Sequence, residues 1–389
     1  MIDPRAGDPL EARTRLSPVA LPISAGAYEI VLADGRIAAI HPARGTPEWL
    51  LLPAFANMHT HAERAFSAGP APKSFADALR QSEEMRKSAS EADFHDRAAM
   101  LFSRALAHGT LRLRSHTDID DLVEDRALRG VVAARKAFAG RLDVEIVAFA
   151  NARTDPAGRD GQKRLVAALG QGADLIGAVP AFAPDPRRAV EAVLDLARAE
   201  DVPVDFHLDE HGEPAESLLS FVIDEVVRRG LEGRVALSHV CALATLPPAE
   251  AQSLARRLAA ARITVIALPA TNLYLQDRGA GTPRRRGVTL VKELLAAGVA
   301  VWLGSDNVRD SFYPYGDADP LEDAWLAALA AHLDEPAQLL AALSAGRGEP
   351  KAGDPADLVL VKAASLTDAL ARRPDARILL RAGQRVVVS

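Results

Sequence analysis

Two histidines one residue apart, His59 and His61, close the apolar stretch "LLLPAFANMHTHAERAF". Side chains on a strand alternate faces, so residues two apart point the same way. Two imidazoles projecting together from the end of a buried strand are either packed unusually or holding something. Comparable polar groups end other strand-like runs: His116 and Asp118 in "RSHTDID", His207, Asp209 and Glu210 in "PVDFHLDE", His239 in "VALSHV", Asp306 and Asn307 in "LGSDN". Five of the ten histidines therefore fall at such ends. One of them alone reads as a hydrogen-bonded core histidine; the repeated pattern does not. Neutral imidazoles with one carboxylate suit Zn²⁺ or Fe²⁺ with a position left open for water. Such a centre lowers the pKa of its water toward about 7. His207 and Asp306 join His59 and His61 only if their strands face one mouth, and Glu210 and His239 are then left to polarise and to transfer protons.

The elements that would position these groups are eight apolar runs: "LLLPAFANMHTH", "TLRLRSHTD", "LDVEIVAFAN", "ADLIGAVPAF", "PVDFHLDE", "VALSHV", "TVIALPAT" and "VAVWLGSDN". Segments of helical periodicity, such as "AVEAVLDLARAE", separate them. Alternation of this kind predicts an α/β fold with a parallel sheet, and eight units predict a (β/α)₈ barrel with chemistry at the C-terminal strand ends. A doubly wound open sheet is the alternative, but no Gly-rich phosphate loop follows the first strand. Both chain ends read as short β elements. "YEIVLADGRIAAIHP" turns at Asp34-Gly35, and "ARILLRAGQRVVV" turns at Ala382-Gly383. Residues 1–50 and 350–389 are thus expected to form a small composite β-sandwich beside a barrel over 51–349.

The composition narrows the function. Of 389 residues, 49% are hydrophobic and 25% charged, and the net charge is −6, which leaves no electrostatic footprint for nucleic acid or an acidic membrane. The arginines of "TPRRRG" (Arg284 to Arg286) are too few to change that. No run approaches the roughly 18 apolar residues of a membrane span, and "MIDPRAGDPLEAR" is unlike a signal peptide. One cysteine, Cys241, excludes an internal disulfide and reads as a buried apolar filler. The expectation is a cytoplasmic protein acting on a small molecule, with a homo-oligomer left open.

Taken in order, "HTH", "FHLDE", "LSHV" and "LGSDN" resemble the amidohydrolase superfamily. "RSHTDID", "IVAFAN", "GAVPAF" and "SDNVRDSFYPYG" narrow the resemblance to its cytosine deaminase-like branch. The resemblance implies one divalent ion, Zn²⁺ or Fe²⁺, on His59, His61, His207 and Asp306. Binuclear members carry a bridging lysine at strand four, where this chain has "GAVPAFAPD". Glu210 matches the acid that shuttles a proton to the ring nitrogen. His239 matches the histidine that polarises the attacking water, and Asp306 shares its proton. His116 and Asp118 are expected beneath the metal as supporting groups.

The positions that would read the substrate depart from the branch. "IVAFAN" offers Phe149 and places Asn151 where glutamine is usual; "GSDN" has Asn307 in place of a second aspartate; "RDSFYP" has Phe312 in place of a tryptophan; and "HTHAER" puts Ala62-Glu63 near a common acidic position. The leading expectation is metal-dependent hydrolytic deamination of cytosine or a close analogue. The alternatives are the same machinery on another C–N bond (isocytosine, an aminotriazine or a cyclic amidine) and a non-catalytic binding relative. The complete ligand and proton-shuttle sets oppose the last. No Cys-Cys zinc motif points to nucleic-acid editing.

Overall fold

A computed structural model describes residues 14–279 and 286–387. The segment "MIDPRAGDPLEAR" and Arg284 and Arg285 of the arginine cluster lie outside the described residues. The chain opens with β1 (Thr14–Ala20), β2 (Tyr28–Ala33), β3 (Arg36–Pro42) and β4 (Trp49–Pro53). Eight strands follow, separated by helices: β5 (Phe55–Thr60), β6 (Thr110–Asp118), β7 (Asp143–Ala150), β8 (Leu175–Ala178), β9 (Val204–Leu208), β10 (Val235–His239), β11 (Thr264–Ala267) and β12 (Val301–Leu303). The C-terminal segment adds β13 (Leu358–Val361), β14 (Arg377–Arg381) and β15 (Gln384–Arg385).

β5 to β12 lie side by side in chain order and pair in parallel, which is the expected barrel. Its helices follow from local sequence. In Pro186–Ala199, Asp185 caps by accepting from Arg188 N at 3.1 Å, a proline sits in the first turn, and Val190, Val193, Leu194 and Ala197 bury one stripe. The seam between β12 and β5 is narrow. Asp306 N donates to His59 O at 2.8 Å and His61 N to Asp306 O at 3.2 Å. One step below, Asn57 Oδ1 accepts from Ser305 N at 3.0 Å while Asn57 Nδ2 donates to Ser305 Oγ at 2.9 Å. A side-chain amide thus substitutes for a ladder rung.

The remaining strands form a seven-stranded sheet in the order β15-β14-β13-β4-β1-β2-β3. Asp34 and Gly35 both take the left-handed conformation that a two-residue hairpin needs (φ 52° and 72°). Past its edge, Ile37 N donates to Asp354 O at 2.9 Å and Ala356 N to Gly35 O at 2.8 Å, so the sheet curls over its own core. The apolar run Leu50–His61, expected as one strand, divides: Leu50–Pro53 belongs to β4 of this sheet and Phe55 begins β5 of the barrel. Among the described residues no helix is long and apolar enough to cross a membrane.

Candidate active site

His59, His61, His207 and Asp306 are buried together at the C-terminal ends of β5, β9 and β12, with ligand atoms all within 4.8 Å of one another. Their tautomers follow from their partners. His59 Nδ1 meets Ser238 Oγ at 2.7 Å, and Ser238 Oγ meets Asp205 Oδ1 at 3.0 Å. Asp205 is held ionised below the usual carboxylate range, because His116 and Arg114 outweigh the cost of its burial. Ser238 therefore donates to Asp205 and accepts from His59, which leaves the His59 Nε2 lone pair bare. His61 Nδ1 likewise donates to His116 O at 3.1 Å, since a carbonyl only accepts.

Burial lowers His59 to about 3 and takes His61 and His207 well below the ordinary histidine range. Asp306 lies well below the ordinary carboxylate range despite its burial. The Nε2 atoms of His61 and His207 stand 3.2 Å apart, and those of His59 and His61 are each 3.4 Å from Asp306 Oδ1. His59 Nε2 has no hydrogen-bond partner. Neutral imidazoles whose ring nitrogens converge beside a carboxylate can hold a cation between them, so these residues fit a divalent metal.

Three of the strands that carry the site end on left-handed residues. β9 stops at Leu208. Asp209 turns at φ 50°, its carboxylate held by Ser217 Oγ and Leu218 N. That turn moves Glu210 out of alternation and into the cleft, with Oε1 3.9 Å from His239 Nδ1. Burial raises the Glu210 pKa, opposed by His239. β10 ends with His239 and Val240 both left-handed (φ 73° and 52°), and Asp306, just past β12, has φ 58°. A β-branched residue in that region is strained, and strain of this kind persists where the surroundings over-determine it. His239 is fixed by Asn272 at Nδ1 (3.0 Å) and by Thr289 Oγ1, which donates to its carbonyl (2.6 Å).

The other expected residues divide. Phe149 packs on His207 with ring centroids 4.3 Å apart. Asn307 lines the cleft, its Oδ1 3.3 Å from Arg64 Nη2. Phe312 is buried with the Arg64 guanidinium 4.7 Å over its ring, so that face carries an arginine. Asn151 also lines the cleft, but its amide is engaged: Nδ2 donates to Asp118 Oδ1 (2.9 Å) and Asp120 Oδ2 (2.7 Å), and Oδ1 accepts from Arg153 N (2.9 Å). His116 stacks on His59 with ring centroids 4.0 Å apart. Asp118 instead faces the cleft, 3.0 Å from Arg86 Nη1. Cys241 is fully buried.

Four lining residues had no signal in strand spacing: Arg64 on the short turn Ala62–Arg64, Phe75 and Arg86 on the helix Phe75–Ser88, and Phe182 after β8. The cleft is open to solvent and, counted with that open space, spans about 590 Å³. It adjoins a second lobe of about 850 Å³ across Phe75, Val179, Phe182, His207 and Glu210, and His211 lines that lobe.

A family model described as "Amidohydrolase family" matches residues 128–387. A pterin deaminase of Rhizobium rhizogenes is 34% identical over 386 residues, covering 92% of this chain and 87% of its own. The crystal structure of 5-methylcytosine deaminase from Klebsiella pneumoniae, liganded with 5-fluorocytosine, superposes with a TM-score of 0.85 at 25% identity, covering 96% and 97% of the two chains. The crystal structure of N-isopropylammelide isopropylaminohydrolase from Burkholderia multivorans does so with a TM-score of 0.82 at 26% identity, covering 96% and 98%.

Proposed function

The chain belongs to the amidohydrolase family, as a hydrolase acting on carbon–nitrogen bonds, and from that premise we propose that it deaminates a 2-amino-4-oxo nitrogen heterocycle of the pterin type. The observation that carries the reading is the cleft wall itself, where Glu210 and His239 stand 3.9 Å apart beside His61, His207 and Asp306. The pterin deaminase relative supports a bicyclic substrate, as does a cleft that continues into a second lobe. Cytosine is the second reading, favoured by the likeness to 5-methylcytosine deaminase.

One divalent ion per chain, zinc or ferrous iron, would be held by His59, His61, His207 and Asp306. Among the described residues no lysine lines the cleft to bridge a second ion. When bound, the ion supplies the Lewis acidity that makes water a nucleophile at neutral pH. Glu210, its carboxyl kept protonated to higher pH by burial, gives a proton to the ring nitrogen beside the amino-bearing carbon. It then takes up a proton released from the water and passes it to the amine, which leaves as ammonia while the water oxygen remains on carbon and its second proton returns to Glu210. His239 Nε2, buried without a partner, is available to orient the attacking water.

Ammonia release from pterin, isocytosine, cytosine, 5-methylcytosine and an aminotriazine, with chelator-stripped and metal-reconstituted protein, tests the reading. Pterin should be the best substrate, and only with metal. A preference for cytosine would select the second reading, and no ammonia from any of the five would reject deamination.

A further inference from the structure

We propose that Arg64 reads the ring oxo oxygen of the substrate, an assignment that rests on the deaminase reading above. Arg64 is only 8% exposed, yet none of its guanidinium contacts is short. Nη2 is 3.3 Å from Asn307 Oδ1, Nε is 3.5 Å from Asp310 Oδ2, Nη1 is 3.8 Å from Asp118 Oδ2, and Nε has no hydrogen-bond partner. Buried arginines elsewhere in the chain are paired closely: Arg86 Nη1 reaches Asp120 Oδ2 at 2.6 Å, and Arg114 Nη1 reaches Asp205 Oδ2 at 2.7 Å. A buried guanidinium normally makes short charge-assisted bonds, so one that faces a cleft with donors unspent is suited to a planar acceptor entering it.

Its surroundings hold it for that task. The Phe312 ring lies under its plane, and carboxylates on two sides keep it oriented without consuming its donors at short range. Asn151, the other candidate for reading a carbonyl, is already engaged at both ends of its amide. The chemistry gives the position a purpose as well. Attack at the amino-bearing carbon drives electron density through the ring nitrogen to a conjugated oxo oxygen. A cationic fork there stabilises that charge better than a neutral amide.

Paired ligands test the assignment. Wild type, Arg64→Met and Arg64→Lys are assayed for kcat/KM on pterin and on 2-aminopteridine, which lacks the oxo group, with metal content measured in each. Arg64→Met should lose roughly 10- to 100-fold on pterin, change less than about threefold on 2-aminopteridine, and keep its metal. Arg64→Lys should recover part of the loss, keeping charge without the fork. Equilibrium binding of 4-oxopteridine and of unsubstituted pteridine, neither of which has an amine to lose, separates this proposal from the deaminase reading. Arg64→Met should weaken only the 4-oxopteridine complex, whether or not the wild type turns over pterin. Equal losses on both members of either pair, no loss on either, or no binding of 4-oxopteridine to wild type would overturn the assignment.

Discussion

Glu210 reaches the cleft because Asp209 turns left-handed, and its neighbour His207 stays on the strand that holds it among the other imidazoles. The two positions should therefore fail differently. Glu210→Gln keeps shape and hydrogen bonds but loses the titratable proton. It should lower kcat by roughly 10²–10⁴ with metal content unchanged, whereas His207→Ala should lose both activity and metal. Equal metal loss in the two variants would show that the division between ligand and acid is misplaced. The same scale gives a pH dependence at Asp310, whose Oδ1 accepts from Phe312 N (2.9 Å) and Tyr313 N (3.1 Å). Burial pushes Asp310 up to about 6, with Arg64 pulling the other way. An unfolded aspartate titrates near about 3.9, so the folded state holds this proton more tightly. The resulting stabilisation is full below that value and lost as pH rises through about 6. Asp310→Asn keeps both backbone bonds and should flatten that part of the stability curve, by about 2–3 kcal/mol at full effect. Denaturant midpoints measured from about pH 4 to about pH 7.5 decide it; parallel curves for the two proteins would reject the role. The pairing of His59 with His61 was legible in the sequence because His-x-His on a strand has a fixed geometry, whereas His207 and Asp306 come beside them only because the barrel brings distant strand ends to one mouth. Arg64 was not legible, because a three-residue turn decides where it faces, and neither was the engagement of Asn151, which depends on two aspartates from another strand end.

At the scale of elements, the barrel closes where the chemistry sits. Asp306 pairs with the β5 backbone, and Gly304 lies so close to β5 that a Cβ there would stand 2.7 Å from His59 Cβ and 2.8 Å from His59 N. The contact is with backbone, so it cannot be relieved by a rotamer change. Gly304→Ala should push β12 away from β5, cost about 1–3 kcal/mol as overpacking does, and weaken metal binding because His59 and Asp306 flank the seam. Chemical denaturation and elemental analysis read both effects. Normal stability with normal metal content would mean the seam adapts freely. Strand order and number followed from alternating periodicity, but the break at Ala54 did not. Leu50 to Phe55 is continuously apolar because both of the strands it feeds are buried, and periodicity carries no boundary where both faces are covered.

The whole molecule is tied together by that double burial. In the small sheet, Leu51, Leu358, Leu360, Ile378 and Leu380 face its own core, while Leu50, Leu52, Val359, Val361 and Leu379 belong to the core shared with the barrel. Period-two alternation thus sorts neighbouring leucines into two cores, and the runs "LLLP" and "LVLV" look uniform only because each face is apolar. Arg377 on β14 adds a bidentate pair to Asp319, 2.6 Å from each nitrogen, ahead of the helix Pro320–Ala330. A sheet with one face on each core cannot unfold without exposing the barrel's share. Leu51→Ala and Leu52→Ala lie on opposite faces of β4, and each should cost about 2–5 kcal/mol. Calorimetry should show one cooperative transition in the wild type and in both variants, shifted down together for sheet and barrel. An early separate transition in Leu51→Ala, with the remainder melting at the wild-type temperature, would mean that the two cores are energetically independent and that the shared face contributes little to holding the site together.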